Sequence, residues 1–299
     1  MSIWQTKNWK NMLISSSQAL EVFEIDNIFV EKRTLSLGQN GLFILGFEGN
    51  IEKKLEEKLI SLAKKNNSLF VQIEDFDILG NFKNHNLDKF KKGYYKKFIT
   101  NSTAIIDLNL EMEDILLIMK PKGRYNIKVA EKKGLKAFEI EKIYENIKIF
   151  YNLMLETTSR DNFNGNNFEY YKTFLNNISN SKLIFVKLEN EVVCGGIFVF
   201  DKEISIYYYG ASTSSPKYRN MMGPYLMQYF AINKAKELGS KIYDFLGVAG
   251  ILEKNSPLAG VTDFKLKLTP NVVEVSNSYI YKNKKILYFI FQILRYLKK

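Results

Sequence analysis

The 299-residue chain has a single cysteine, Cys194, a single histidine, His85, and only five prolines. A disulfide framework needs paired cysteines, and a zinc site needs several Cys or His ligands, so the sequence excludes both. Thiol or Ser-His-Asp catalysis would depend on one lone residue of its kind. If the chain is an enzyme, we therefore expect Lys, Tyr, carboxylates, backbone groups or the substrate to carry the chemistry.

Long apolar runs are also missing. No stretch of about eighteen apolar residues is present, and the opening MSIWQTKNWK lacks the features of a signal peptide. An unpaired cysteine is typical of a reducing compartment. We expect a cytoplasmic protein, either free or at the inner face of the plasma membrane.

Acidic residues are in the minority, because 43 Lys and Arg stand against 32 Asp and Glu, a formal net charge of +11. This surplus favours an anionic partner: nucleic acid, a phosphorylated metabolite or a membrane surface. The chain is also rich in Lys, Asn, Ile, Phe and Tyr, which AT-rich codons encode. Part of the surplus is therefore compositional.

One order of elements is predicted twice. Alternating apolar residues and short polar turns predict strands at 20–26, 27–37, 41–48 and 69–73 in the first copy, and at 182–188, 192–200, 204–210 and 241–246 in the second. In each copy an amphipathic helix precedes the last strand. This order is similar to that of GNAT acyltransferases, so we expect an α/β (α+β) fold with two tandem GNAT-like domains. Each would be a mixed, mainly antiparallel sheet flanked by helices.

We place the first domain at residues 1–108 plus 277–299 and the second at 109–276, with a helical stretch at 111–134.

The pyrophosphate loop of GNAT enzymes needs spaced glycines, because backbone N–H groups must approach the phosphates. Residues 219–224 read RNMMGP, with one Gly and a Pro that has no N–H. The sequence therefore disfavours acetyl-CoA as the donor.

Four segments, in order, resemble motifs of the FemABX family, the aminoacyl-tRNA-dependent transferases that build peptidoglycan cross-bridges. They are GRYNIKVAEKKGL (123–135), ETTSRDNF (156–163), a stretch with YYGAS, PYLMQYFAI and YDFLGV (208–248), and GVTDFK (260–265). The opening WQTKNW is similar to the family's QS-x-x-W. The resemblance covers nearly the whole chain and implies the compact form of the family, without its coiled-coil arm.

The resemblance implies transfer of an amino acid from tRNA to the stem-peptide amine of lipid II or UDP-MurNAc-pentapeptide. Aminoacyl-tRNA would be a co-substrate, with no cofactor or metal, and the protein would be a monomer. Other functions left open are a tRNA-dependent protein N-terminal aminoacyltransferase, an acyl-CoA N-acyltransferase, and a non-catalytic module that binds wall precursors or tRNA.

The resemblance also implies a catalytic role for Lys265, with Phe264 holding its position. A fixed cation aimed at the oxyanion of the tetrahedral intermediate is usually the largest protein contribution to acyl transfer. The alternative is a Lys at a strand end with a solvated ammonium. Asp75, at the end of a predicted strand, is a candidate base beside substrate-assisted proton transfer. We expect His85, in the polar stretch KNHNLDKF, to be a solvated loop residue.

By the same resemblance, five residues would contact the precursor: Lys32, Arg33, Tyr171, Tyr209 and Arg160. The first two resemble the basic position that meets the diphosphate. For the tyrosines the alternative is packing in the core. Some relatives have an Arg four positions before the substrate tyrosine, where this chain has Asn166-Asn167. The lipid-linked precursor is therefore favoured over the nucleotide-linked one.

Positive charge is concentrated between residues 120 and 136, where seven cations stand against Glu131. We assign five of these cations to the tRNA backbone: Lys120, Lys122, Arg124, Lys128 and Lys132. The alternative is a solvated helix face, and Tyr125 is expected to pack.

Residues 281–299 are basic at both ends and apolar between, but too short to span a membrane. They would form either a helix docked on the first domain or a shallow contact with an anionic membrane.

Overall fold

The computed structural model describes residues 2–78, 85, 87–250, 256 and 258–297. The chain divides into two compact units, which we call unit 1 (Met1–Asn101 with Glu274–Lys299) and unit 2 (Ser102–Val273). Each unit contains its own sheet and its own apolar core. Among the described residues, none of the helices has the length and apolar character needed to cross a membrane.

Unit 1 is a sheet with helices on its faces. Its elements are the 3₁₀ helices Ile3–Gln5 and Ser36–Gly38, α1 (Lys7–Ser15), β1 (Glu21–Ile25), β2 (Ile28–Thr34), β3 (Asn40–Phe47), α2 (Lys53–Lys65), β4 (Phe70–Asp75), β5 (Lys91–Lys92), β13 (Ser278–Lys282) and α10 (Lys285–Leu297). The described strands are ordered β1-β2-β3-β4-β13-β5. Only the β3–β4 pair is parallel among these described strands.

The opening motif WQTKNW ties the N-terminal helix to this sheet. Gln5 Nε2 donates to the carbonyl of Leu45 at 2.8 Å, and its Oε1 accepts from the N–H of Phe29 at 2.9 Å. Trp9 Nε1 donates to the carboxylate of Glu31, which is buried. Side-chain bonds to the backbone of two strands therefore fix the position of the first turn.

Unit 2 repeats this plan. Its elements are β6 (Ser102–Asp107), α3 (Met112–Ile118), α4 (Pro121–Lys132), β7 (Lys136–Ile140), α5 (Tyr144–Asp161), α6 (Phe168–Asn177), β8 (Ser181–Leu188), β9 (Glu191–Val199), β10 (Ile204–Ser212), α7 (Pro216–Arg219), α8 (Gly223–Glu237), β11 (Ile242–Val248), α9 (Ala259–Lys265) and β12 (Val272–Glu274). The order in the sheet is β12-β6-β11-β10-β9-β8-β7, and β10 and β11 are parallel.

A three-stranded antiparallel meander, a helix and a strand parallel to the third are therefore present in both units. The predicted fold class, two tandem GNAT-like domains with mixed sheets flanked by helices, is confirmed. Among the described residues α5, with 18 residues, is the longest helix, and no coiled-coil arm is present.

Two details differ from the sequence predictions. The helical stretch at 111–134 is two helices, because Met119 and Lys120 turn to extended conformations (ψ 143° and 148°) before Pro121, whose ring disfavours helix in the preceding residue. The predicted domain boundary after residue 108 assigned β6 to the first domain. However, β6 pairs with β11 in the sheet of unit 2.

Candidate functional site

The parallel strands β10 and β11 separate in the middle of unit 2. They stay paired only as far as Ile206 and Asp244, although both strands continue beyond this point. The pairing of β11 with β6 is irregular between Asp244 and Gly247, and Leu246 has a φ of 55°. A bulge of this kind turns backbone groups out of the ladder. The carbonyls of Leu246 and Gly247 are thereby available to a side chain.

The ammonium of Lys265 lies at these two carbonyls. Its Nζ donates to the carbonyl of Gly247 at 2.7 Å and to that of Leu246 at 3.1 Å, and the residue is only 6% exposed. Burial lowers the pKa of Lys265 to about 8, and the negative charge of Asp244 opposes this shift. Lys265 is the last residue of α9. The alternative prediction, a strand-end Lys with a solvated ammonium, is therefore wrong.

Asp244 supports the bulge from inside the sheet. Its Oδ1 accepts hydrogen bonds from the Thr103 hydroxyl and from the N–H of Leu246, the latter at 2.8 Å. Its Oδ2 is buried and has no hydrogen-bond partner among the described residues. Burial raises the pKa of Asp244 to about 6, against the effect of these hydrogen bonds and of Lys265. Asp244 is not among the predicted site residues, although a carboxylate inside an apolar strand is a signal of such a role.

Phe264 and its helix are held from two sides. The rings of Phe264 and Tyr225 meet edge to face with centroids 5.0 Å apart, and Tyr225 lies in the first turn of α8. On the other side, the N–H of Ala249 donates to the Thr262 hydroxyl at 2.8 Å. These contacts fix α9 relative to α8 and the end of β11. The positioning role of Phe264 in catalysis stays a prediction.

The structure brings Tyr171 and Tyr209 together in an aromatic cluster, with ring centroids 5.2 Å apart and an edge-to-face contact. Burial raises the pKa of Tyr171 to about 12. Arg160 donates to the carbonyl of Ser212 at 3.2 Å and forms an ion pair with Asp161. Tyr171, Tyr209 and Arg160 therefore each have contacts within the fold, and their role in binding the precursor stays a prediction.

A cavity of about 210 Å³ lies beside this cluster. It is lined by Gly165, Asn166 and Asn167 on one side and by α5 residues on the other. The N–H of Asn166 donates to the Tyr171 hydroxyl at 3.3 Å. The two asparagines thus lie at a concave surface, next to a predicted substrate tyrosine.

In unit 1, the predicted diphosphate contacts both have protein partners. Lys32 Nζ donates to Asn66 Oδ1 at 3.0 Å. Arg33 pairs with Glu31 at 2.6 Å, and its guanidinium lies 4.7 Å from the centroid of the Phe98 ring. A diphosphate would compete with these partners, so the roles of Lys32 and Arg33 stay predictions.

Asp75 ends β4, and its Oδ2 lies 2.9 Å from Nε2 of His85. The His85 side chain is 2% exposed, and its Nδ1 accepts from the N–H of Ile51 at 3.3 Å. The expectation of a solvated loop histidine is therefore wrong. Because Nδ1 accepts, the neutral ring carries its proton on Nε2 and donates it to Asp75. Nothing in the local sequence signals this pairing, and the role of Asp75 as a base stays a prediction.

The predicted tRNA cations lie on α4 and the turn before it. Four of them are exposed: Lys120, Lys122, Lys128 and Lys132. Arg124 instead donates to the carbonyls of Leu116 and Met119, at the C-terminal end of α3. Tyr125 is exposed rather than packed, and the Lys122 ammonium lies 5.0 Å from its ring centroid. The exposed face therefore combines cations with an aromatic ring.

A model of the FemAB family matches residues 59–190 and 176–296, which together cover well over half of the chain. The chain belongs to the FemAB family. The resemblance noted from the sequence motifs is thereby confirmed. The aminoacyltransferase FemA of Staphylococcus epidermidis is 33% identical over 110 residues, 37% of this chain and 26% of FemA. The match therefore spans only about a quarter of the length of FemA.

Solved structures agree with this FemAB assignment at the level of the fold. The crystal structure of FemX superposes with a TM-score of 0.76 over 97% of this chain and 94% of FemX, at 17% identity. The structure of L-PGS from Bacillus licheniformis gives a TM-score of 0.58 over 95% of this chain and 94% of that one, at 14% identity.

Proposed function

We propose that this FemAB-family chain transfers an amino acid from aminoacyl-tRNA to the stem-peptide amine of a peptidoglycan precursor, and so builds an interpeptide bridge. The observation that carries the proposal is the buried Lys265, whose ammonium lies on the carbonyls of the β11 bulge. The name of the relative FemA, an aminoacyltransferase, supports the same reaction class.

Lys265 is suited to the oxyanion of this reaction. An ammonium has three donors, and two of them are directed at the carbonyls of Leu246 and Gly247. The third donor has no partner among the described residues, and its direction is fixed by the other two. When the amine attacks the ester carbonyl, the carbonyl oxygen gains a negative charge that this donor stabilises. The ammonium has its charge in place before the reaction begins.

The proton balance gives Lys265 a second task. The attacking amine loses a proton, either to a base or within the substrate, and the ribose oxygen of the tRNA must gain one as it leaves. A group with a pKa of about 8 transfers protons efficiently near neutral pH. Where a base takes the amine proton, Lys265 is the candidate acid for the leaving oxygen and regains its own proton from water. Where the proton passes within the substrate, it reaches the leaving oxygen directly.

The partners are proposed from charge and shape. The exposed cations of α4 would meet the tRNA backbone through contacts that do not depend on sequence. The cavity at Asn166-Asn167 in unit 2 is the candidate site for the precursor. Lys32 and Arg33 in unit 1 are separate candidates for contacts with its diphosphate. Without the Arg found in some relatives, a lipid-linked precursor fits better than a nucleotide-linked one.

Acyl-CoA is disfavoured as the donor by the loop before α8. Met222 has a φ of 62°, and the N–H of Tyr225 already donates to its carbonyl at 3.0 Å. Pro224 has no N–H to offer. The carbonyl of Asn220 faces a cation, since it accepts from Lys133 Nζ at 2.7 Å. Few backbone donors are left for a pyrophosphate.

Incubation with a mixed aminoacyl-tRNA pool and lipid-linked precursor, read by mass spectrometry, tests the function. We expect the precursor to gain the mass of one amino acid residue, with charged but not with uncharged tRNA. A parallel reaction with the nucleotide-linked precursor distinguishes the two acceptors. A gain on a peptide N-terminus alone, or from acyl-CoA without tRNA, would overturn the proposal. Tight binding of both substrates without transfer would indicate a non-catalytic binding module.

The transfer rate is expected to fall as the pH rises through about 8, because the Lys265 ammonium, whose pKa is lowered to that value, is lost there. Lys265→Arg keeps its positive charge in this pH range. Any activity that it retains should therefore not show the fall in rate above about pH 8, which we call the alkaline limb of the pH–rate profile. Asp244→Asn removes the negative charge that raises the Lys265 pKa, so the limb should move to lower pH.

Single-turnover rates between about pH 6 and about pH 9.5, corrected for ester hydrolysis, measure the limb. Asp263→Asn, at an exposed acid in the same helix, is the matched control and should leave it in place. An alkaline limb common to the wild type, Lys265→Arg and Asp244→Asn would show that another group titrates.

A further inference from the structure

Helix α10 has two apolar faces, and only one of them is covered. Tyr288 and Phe291 are buried against unit 1, as expected of a docked helix. Five other apolar side chains of the helix are exposed: Ile286, Phe289, Ile290, Ile293 and Leu294. Ile286 is 82% exposed and Phe289 63%. Docking on the first domain therefore accounts for only one side of α10.

The exposed residues form one continuous surface. Positions 286, 289, 290 and 293 have the i, i+3, i+4, i+7 spacing of a single helix face. Leu37, at the turn between β2 and β3, is 78% exposed and lines the same cavity as Leu294. We call these six apolar side chains the α10 stripe. Single exposed apolar residues need no explanation, but a contiguous patch indicates an interaction site.

Cations surround the α10 stripe. Residues 281–299 contain six Lys and Arg and no Asp or Glu. Lys282 ends β13, Lys284 and Lys285 lie at the start of the helix, and Arg295 lies in its last turn. None of the four forms an ion pair within the described part of the chain. Lys298 and Lys299 lie outside the described residues.

A cavity of about 430 Å³ adjoins the same helix and has a positive lining, because Lys96 and Arg295 both face it. Burial lowers the pKa of the Lys96 ammonium, and the positive charges of Arg33 and Arg295 lower it further. An anion that entered the cavity would relieve this repulsion between cations. The surface thus pairs an apolar stripe with a concave site for a negatively charged group.

We propose that the α10 stripe docks peripherally on an anionic lipid bilayer. Its apolar side chains would enter the boundary between headgroups and acyl chains, while the surrounding cations and the Lys96–Arg295 cavity meet lipid phosphates. A second copy of the chain fits less well, because a symmetric contact through this face would oppose cations to cations.

Sedimentation with lipid vesicles tests the proposal. We expect the wild type to bind phosphatidylglycerol vesicles more tightly than phosphatidylcholine vesicles, and less tightly as salt is added. Phe289→Ser with Ile293→Ser should weaken binding at least about fivefold, since two apolar anchors are lost. Leu117→Ser with Leu238→Ser makes the same change at exposed leucines elsewhere and should bind like the wild type.

The charged part of the surface has its own pair of variants. Lys285→Glu should reduce binding to anionic vesicles, whereas Lys54→Glu, at an exposed lysine of α2, should leave it unchanged. Equal binding by the wild type and the Phe289→Ser/Ile293→Ser variant would overturn the proposal, as would the absence of a preference for anionic lipid.

Light scattering in the absence of lipid tests the alternative, in which a second copy of the chain covers the α10 stripe. A wild-type dimer that the same double substitution converts to a monomer would assign the α10 stripe to a second copy and overturn the membrane proposal. Vesicle binding requires neither tRNA nor transfer, so its outcome is separate from that of the proposed function. A circular dichroism spectrum and an unfolding temperature like those of the wild type show that the double variant is folded.

Discussion

Lys265→Met is expected to lower the single-turnover rate of aminoacyl transfer at least about tenfold, because a lost oxyanion donor typically costs a few kcal/mol. Methionine fills similar space but offers no hydrogen to the oxyanion and no proton to the leaving oxygen. The carbonyls of Leu246 and Gly247 would remain in place, but the ammonium that they orient would be gone. Rapid-quench kinetics with enzyme in excess measure the chemical step itself.

Lys267→Met is the matched control for this variant. Lys267 follows two positions later and pairs with Asp263 at the surface, where such pairs contribute little. Its loss should leave the transfer rate within about twofold of the wild type. Thermal unfolding of both variants checks that the protein is intact. A near-normal rate for Lys265→Met would remove Lys265 from the mechanism and leave the family assignment unaffected.

Gly123→Ala is expected to destabilise the protein, although alanine is ordinarily the better helix former by up to about 1 kcal/mol. Gly123 lies in the first turn of α4, and a Cβ there would come within 2.1 Å of the carbonyl oxygen of Lys267. Overpacking against backbone typically costs about 1–3 kcal/mol. Lys267 also accepts from the N–H of Lys120, so the clash would push on the segment that follows Lys265. We expect both a lower unfolding temperature and slower transfer.

Gly260→Ala makes the same change in another helix without the clash. A Cβ on Gly260 meets nothing within 4 Å, so the variant should be neutral or slightly stabilised. Calorimetry of the two variants beside the wild type gives the comparison. If Gly123→Ala melted at or above the temperature of Gly260→Ala, the close approach of α4 to Lys267 would not be present in solution.

The strands and helices were predictable because their signals are local. Alternation and 3.6-residue periodicity lie within each element, so both meanders and the helices α2 and α8 follow from the sequence. The break before Pro121 also obeys a local rule, but the prediction of one helical stretch at 111–134 missed it. Lys265 was identified through its motif rather than through a pattern of polarity, and the motif did not indicate that α9 is a helix.

The missed parts of the site depend on residues distant in sequence. In the sequence, Asp244 is a single acidic residue in an apolar strand. Its hydrogen-bond partner Thr103 lies 141 residues away along the chain. His85 is buried because Asp75 and the N–H of Ile51 both reach it, which no pattern within KNHNLDKF encodes. Tyr125 falls within a family motif, and only the packing of α4 shows that its ring is exposed.

The strand order of unit 1 has a consequence for synthesis on the ribosome. β13 lies between β4 and β5 and pairs with β4 over five residues, from Ser278 opposite Glu74 to Lys282 opposite Phe70. This edge of β4 therefore stays unpaired while about 200 further residues are translated, roughly 10–40 s at ordinary elongation rates. Unit 2 is continuous in sequence and emerges whole during that time. The nascent chain thus completes its second unit before its first, and until then one edge of β4 is open to pairing with another chain.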